Sequence, residues 1–247
     1  MAGTATPLVF LPGALEGLEG ADRVAEQLSA DRPLICIAYQ PDDTLQRLLG
    51  RILSKANEAS ATHFDLLGQS YGGWIAQCLA RIEPERVRRM VLSHSFVLRA
   101  GNSWQFQVGS ALLKHMPLRL MRPLLLKRVR QALAPLRNAD PLLVERQLTA
   151  LLHDIERPNF RNKLIAQQRC LRQSLKLAAV TDEPGAAGPP VLIIESANDP
   201  LIGARQRRAL RARHSAAAVH CFVAAGHISA MVETEAHLGI VKSFLDQ

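Results

Sequence analysis

The sequence predicts an α/β fold, a mostly parallel sheet of about six strands flanked by helices, with an all-helical segment inserted after the fourth strand. Three observations carry this. Short apolar runs alternate with amphipathic stretches, the pattern of strands buried on both faces and the helices that cover them. One such run passes through Gly68-Gln69-Ser70-Tyr71-Gly72 straight into a helix-like stretch, so strand and helix meet at a sharp turn. Between residues 101 and 181 the alternation stops, and only helical periodicity broken by prolines remains.

Taken in order, residues 7–11 read as a buried strand closed by Pro12-Gly13, followed by a loop and a helix over about 21–29. Residues 34–38 form the second strand. Pro41-Asp42-Asp43-Thr44 opens a helix to about residue 59, with Leu45, Leu48, Leu49, Ile52 and Leu53 on one face. Strand three, 63–67, leads into Ser70, and strand four, 87–92, ends at Ser93-His94-Ser95-Phe96. Helices are expected over 104–115, 118–133, 141–152 and 159–178. A Gly- and Pro-rich loop at 181–190 returns the chain to strand five, 191–195. A helix over 202–213, strand six over 218–223 and a last helix over 229–245 complete it. The expected division is a core of residues 1–98 and 182–247 with a helical cap at 99–181.

Composition narrows the classes. A chain of 247 residues, 48% apolar, can bury one full core. The first ten residues lack the basic start and long apolar run of a secretion signal. No apolar run reaches the ~18 residues that span a membrane. Cys36, Cys78, Cys170 and Cys221 are scattered without metal-ligand spacing, and Cys36 and Cys221, in strand-like runs, are expected to be small buried hydrophobes. A cytoplasmic location is the expectation. The net charge of +8 is uneven: residues 99–180 hold 15 Lys+Arg against 4 Asp+Glu, net +11, and the remainder holds 15 against 18, net −3. Solvated helix faces would explain such a charge as well as a partner would.

Four strand ends carry groups suited to chemistry: the loop holding Pro12-Gly13-Ala14, then Ser70, Asp199 and His227. A serine hydroxyl is a weak nucleophile until a base takes its proton. His227 is the candidate base, and Asp199 the acid that fixes its tautomer and stabilises the imidazolium. The backbone N–H groups of Tyr71 and Ala14 are the candidate oxyanion donors. Each has a plainer alternative: Asp199 as a helix cap, His227 as a loop histidine, Tyr71 as a pocket wall. Glu195 is a rival acid, and the other seven histidines read as hydrogen-bonded bystanders. With no dinucleotide or phosphate-binding glycine motif, no cofactor is expected.

On these residues the sequence resembles the α/β-hydrolase-fold superfamily over essentially its whole length. The elbow, the Asn198-Asp199-Pro200 turn, the Gly226-His227 pair and the helical insertion carry the resemblance. Leu66-Leu67-Gly68-Gln69-Ser70-Tyr71-Gly72-Gly73-Trp74-Ile75-Ala76-Gln77 and Val91-Leu92-Ser93-His94-Ser95-Phe96 are similar to the maspardin-like branch. There are departures: Pro12-Gly13 stands where many members have His-Gly, and about six of the usual eight strands are expected, without the first two. Serine, where some relatives use aspartate, implies ester or thioester cleavage through an acyl-enzyme, with proline iminopeptidase, C–C bond hydrolysis and acyl transfer left open by the same triad. The alternative is a non-catalytic maspardin-like binding protein docking an acidic partner on the basic cap. Leu15, Trp104, Phe106 and Met116 are expected to line a substrate pocket beneath the cap. The cap charge is expected to draw an acyl carrier protein or coenzyme A, and nucleic acid is not an expected partner.

Overall fold

The structure, a computed structural model, describes residues 5–15, 24, 26–97, 103–180 and 188–247. Six strands run parallel in one sheet: β1 Leu8–Leu11, β2 Leu34–Cys36, β3 Phe64–Gln69, β4 Val87–Ser93, β5 Val191–Ser196 and β6 Ala218–Phe222. Their spatial order is β2-β1-β3-β4-β5-β6. The winding therefore reverses between β1 and β3, and such a switch point opens a crevice at the strands' carboxyl ends. Register aligns those ends. Leu11 pairs with Gly68, Gln69 with Ser93, Ser93 with Ile194 and Ser196 with Phe222.

The helices are α1 Leu45–Glu58, α2 Tyr71–Ile82, α3 Ser103–His115, α4 Leu118–Ala132, α5 Pro141–Glu156, α6 Phe160–Val180, α7 Ala204–Arg213, α8 Ser229–Val232 and α9 Thr234–Leu245. Helices α3 to α6 stand between β4 and β5, where the sequence has only helical periodicity. Caps set their starts: Thr44 Oγ1 accepts from Arg47 N–H at 3.2 Å, and Asp140 Oδ1 from Leu143 N–H at 2.9 Å. Residues 26–29 are helical, and most of the helix expected before them lies outside the described residues.

Strand side chains alternate between two cores. Val9, Leu11, Leu66, Leu92 and Ile193 face a cluster with Leu48, Ile52, Trp74, Ile75 and Leu79. Leu8, Phe10, Leu67, Val91, Leu192 and Ile194 face the opposite cluster with Leu28, Val241 and Phe244. Burying each such side chain contributes about 1.5–3 kcal/mol. At the amino-terminal edge Asp65, fully buried, is bound by Arg32 at 3.1 Å and by Arg88 at 2.7 Å, which offsets its desolvation.

Three sequence expectations change. Cys36 and Cys221 are exposed, because β2 and β6 are the sheet's two edges and their outward positions meet solvent. The last helix is two. The Thr234 hydroxyl, not the N–H of a continued helix, donates to the Ala230 carbonyl at 2.9 Å, and Glu233 leaves helical geometry at φ −125 and ψ 50. The helix expected from 202 begins at Ala204, because the Leu201 and Ile202 N–H groups are taken by Asp199.

Candidate active site

The elbow is built by backbone crowding. Ser70, between β3 and α2, has φ 52 and ψ −111, a left-handed strain for a residue with a side chain. Its N–H donates to the Ser93 carbonyl at 2.8 Å, and its carbonyl accepts from Gly73 N–H at 3.1 Å and Ser95 Oγ at 3.0 Å. A Cβ at Gly72 would lie 2.0 Å from the Leu11 carbonyl oxygen, and one at Gly68 would lie 2.4 Å from the Gly73 Cα. Glycine alone lets β1, β3 and α2 close around the serine.

The loop after β1 lies against that elbow. A Cβ at Gly13 would sit 3.8 Å from the Ser70 Cβ. Tyr39 donates its hydroxyl to the Pro12 carbonyl at 2.7 Å, and Gln167 Nε2 donates to the Ala14 carbonyl at 2.8 Å. Two carbonyls of the loop are thus tied back. Tyr71, the first residue of α2, has no intrahelical acceptor for its N–H. Its ring is buried edge-on against Tyr39, with centroids 5.0 Å apart, and burial pushes its hydroxyl pKa well above the ordinary range.

Asp199 and His227 are joined. Nδ1 of His227 and Oδ2 of Asp199 are 2.9 Å apart, and both residues are buried. Oδ1 of Asp199 accepts from the N–H groups of Leu201 and Ile202 at 2.8 and 2.9 Å. So this aspartate caps its loop with one oxygen and holds the histidine with the other. Burial works to raise its pKa. The hydrogen bond and charge of His227, with the two N–H groups, outweigh it and leave the carboxyl below its ordinary value. Asn198 Oδ1 fixes the histidine loop through Gly226 N–H at 2.9 Å. The residue before Ser70 is tied to the histidine loop, as Gln69 Nε2 donates to the His227 carbonyl at 3.3 Å. The rival acid Glu195 is taken by Arg211 and, at 3.6 Å, by Arg207.

Sequence reasoning passed over two groups here. His94, read as a bystander, is buried with φ 48 and lies edge-on to His227, ring centroids 5.5 Å apart. Its nitrogens meet Ser93 Oγ at 3.1 Å and Ser196 Oγ at 3.0 Å. Burial, then the neighbouring His227, pushes its pKa down to about 3, so it packs as a neutral ring. Gln167 is the second, and its link to Ala14 spans 153 residues, beyond any local pattern.

A cavity of about 400 Å³ opens beside the loop, walled by Ala14 and Leu15, by Gln147 and Leu151 of α5, and by Phe160 and Gln167 of α6. Leu15 is among the residues lining this cavity. Met116 is half-buried at the end of α3 and does not line this cavity. The side chains of Trp104 and Phe106 lie outside the described residues. Among the described residues no cluster of three metal-ligating side chains occurs, and no helix is long and apolar enough to cross a membrane.

The strained serine elbow and the acid–histidine pair thus both stand at the carboxyl ends of the strands of one parallel sheet. The chain belongs to the Alpha/beta hydrolase family, whose profile matches residues 8–238. No curated protein matches it in sequence. Among solved structures it is similar to a hydrolase from Pseudomonas aeruginosa, at 21% identity and TM-score 0.78, covering 100% of this chain and 92% of that one. It is similar also to the enol-lactonase from Burkholderia xenovorans, at 17% identity and TM-score 0.74, with 99% and 93% covered. An esterase from Exiguobacterium antarcticum stands at 18% identity and TM-score 0.71, with 99% and 93% covered. At these identities the likeness is one of fold.

Proposed function

We propose that the chain is a serine hydrolase that cleaves an ester or thioester through an acyl-enzyme. The Asp199–His227 hydrogen bond of 2.9 Å, on the strand edge that presents Ser70, carries this reading. His227 Nε2 takes the Ser70 Oγ proton as Oγ attacks the carbonyl carbon. The oxyanion is received by the N–H groups of Tyr71 and Ala14. Collapse expels the alcohol or thiol, which leaves with the proton from His227, and water then repeats the sequence to free the acid. Residues 99–181 act as a cap on the core of 1–98 and 182–247, and the Gln167–Ala14 hydrogen bond supports their closure over the site.

The finer reading is a thioesterase on carrier-bound acyl groups. Residues 99–139 contain no Asp or Glu, and Arg119, Arg122, Lys127, Arg128 and Arg130 of α4 are all exposed. Such a helix would attract coenzyme A or an acidic acyl carrier protein. Equal kcat/KM at low salt for carrier and free-ester forms of one acyl group would remove that preference.

The deciding test is intact mass after fluorophosphonate treatment of wild type, Ser70→Ala and His227→Ala. One adduct that requires both residues is expected, with kcat falling roughly 10⁴- to 10⁶-fold in either variant. No adduct on folded wild type would favour the maspardin-like binding protein instead.

A further inference from the structure

Helix α5 buries one stripe. Leu143, Gln147, Leu151 and Ile155 recur every fourth residue, and all are buried. Three are aliphatic and pack in the cluster beneath the cap helices. The second is an amide. Gln147 is 1% exposed, and its Oε1 has no hydrogen-bond partner. Among the described residues the one other orphaned side-chain atom is Arg32 Nε, on a guanidinium whose other nitrogens already bind Asp65 and Asp246. Gln147 has no such compensation.

A buried amide oxygen without a donor destabilises a fold, and periodicity calls for leucine at this position. The residue stands in the wall of the cavity that begins at Ala14 and Leu15. The second glutamine of that wall, Gln167, already spends its amide N–H on the Ala14 carbonyl at 2.8 Å. Gln147 is therefore the wall's uncommitted buried amide. The rest of the lining is mixed: Leu15, Leu151 and Phe160 are apolar, Asn159 is polar, Asp154 is paired with Arg157 at 3.2 Å, and Lys163 is cationic.

We infer that Gln147 is a specificity residue, whose amide turns about its terminal side-chain bond to accept a hydrogen bond from an O–H or N–H on the acyl part of the substrate held in this cavity. The inference rests on the hydrolase reading for the reaction, but its ligand contact does not depend on turnover. The substrate class is a compact acyl ester or thioester carrying a hydroxyl or amide donor, not a plain alkyl chain. An apolar acyl group of equal size leaves the amide orphaned, and a donor-bearing one satisfies it. A site built to meet a polar group rejects its apolar isostere more strongly than an apolar pocket rejects a polar one.

The test uses p-nitrophenyl esters in pairs that differ only in the donor: β-hydroxybutyryl against isovaleryl, N-acetylglycyl against levulinyl, and ω-hydroxyhexanoyl against heptanoyl. Wild type is expected to favour the donor in at least one pair by about ten- to a hundredfold in kcat/KM. In Gln147→Leu the ratio should fall to near one, with Tm at or above that of wild type because the leucine completes the stripe. The same pairs are titrated against Ser70→Ala protein, with and without Gln147→Leu, to read Kd in the absence of turnover. A wild-type ratio within twofold of one in every pair, by both readouts, overturns the inference. So does a preference that survives Gln147→Leu. Failure of the hydrolase reading shows separately, as a missing fluorophosphonate adduct beside an intact Kd ratio.

Discussion

Replacing Gly72 with alanine places a methyl carbon 2.0 Å from the Leu11 carbonyl oxygen and 2.5 Å from that of Pro12. An ordinary carbon–oxygen contact is about 3.3 Å, so α2 and the end of β1 must part by roughly 1.3 Å. Neither side yields cheaply. Both contacts are backbone, and β1 is paired on both edges, with β2 and β3. Overpacking of this kind costs about 1–3 kcal/mol, and each strained ladder bond adds about 1. The expected loss is about 3 kcal/mol or more, a fall of about 6–12 °C in Tm for a chain of this size. The same shift moves the Ala14 loop away from the Ser70 elbow, and a misplacement of about 1 Å costs about 10²-fold in rate. Urea midpoints and fluorophosphonate labelling rates measure the two effects separately. Gly50→Ala, at an exposed position of α1 where an added methyl meets nothing within 4 Å, is the counterpart. It should gain up to about 1 kcal/mol of helix propensity. Wild-type Tm and labelling in Gly72→Ala would refute the close approach of β1 and α2 on which the site is built.

Two more predictions follow from the buried ionisable groups. Asp199→Asn should lower kcat/KM about 10³- to 10⁴-fold with little change in Tm, because the amide oxygen still caps Leu201 and Ile202 while the hold on the His227 tautomer is lost. A drop below tenfold would remove Asp199 from the acid role. His94 and His237 are pushed down to about 3 and about 4, in each case first by burial. The unfolded chain therefore takes up protons first as pH falls below about 6.5, and stability declines from there toward the folded values. Each ring removes up to about 1.4 kcal/mol per pH unit. Urea midpoints should be clearly lower at about pH 5.5 than at about pH 7.5, and equal midpoints would contradict the buried neutral rings.

Much of the fold was legible because its determinants are local. Unbroken apolar runs at 8–11 and 191–194 mark strands buried on both faces, and the glycines around Ser70 mark an elbow whatever lies beyond it. Strand-end positions brought forward Ser70, Asp199 and His227 as candidates, and the structure joins two of them by a hydrogen bond. Strand order was not legible. It made β2 and β6 the edges and turned Cys36 and Cys221 outward, although their runs look like interior strands.

The sequence by itself determined the periodicities, the elbow and the helical insertion, because each depends on neighbours within a few residues. Tertiary structure alone decided that Gln167 ties the Ala14 loop, that His94 packs on His227, and that Gln147 keeps an unpaired amide oxygen buried in the cavity wall. These side chains act across 153 and 133 residues of chain, or through the lack of a partner, and only packing determines which polar groups meet once water is excluded.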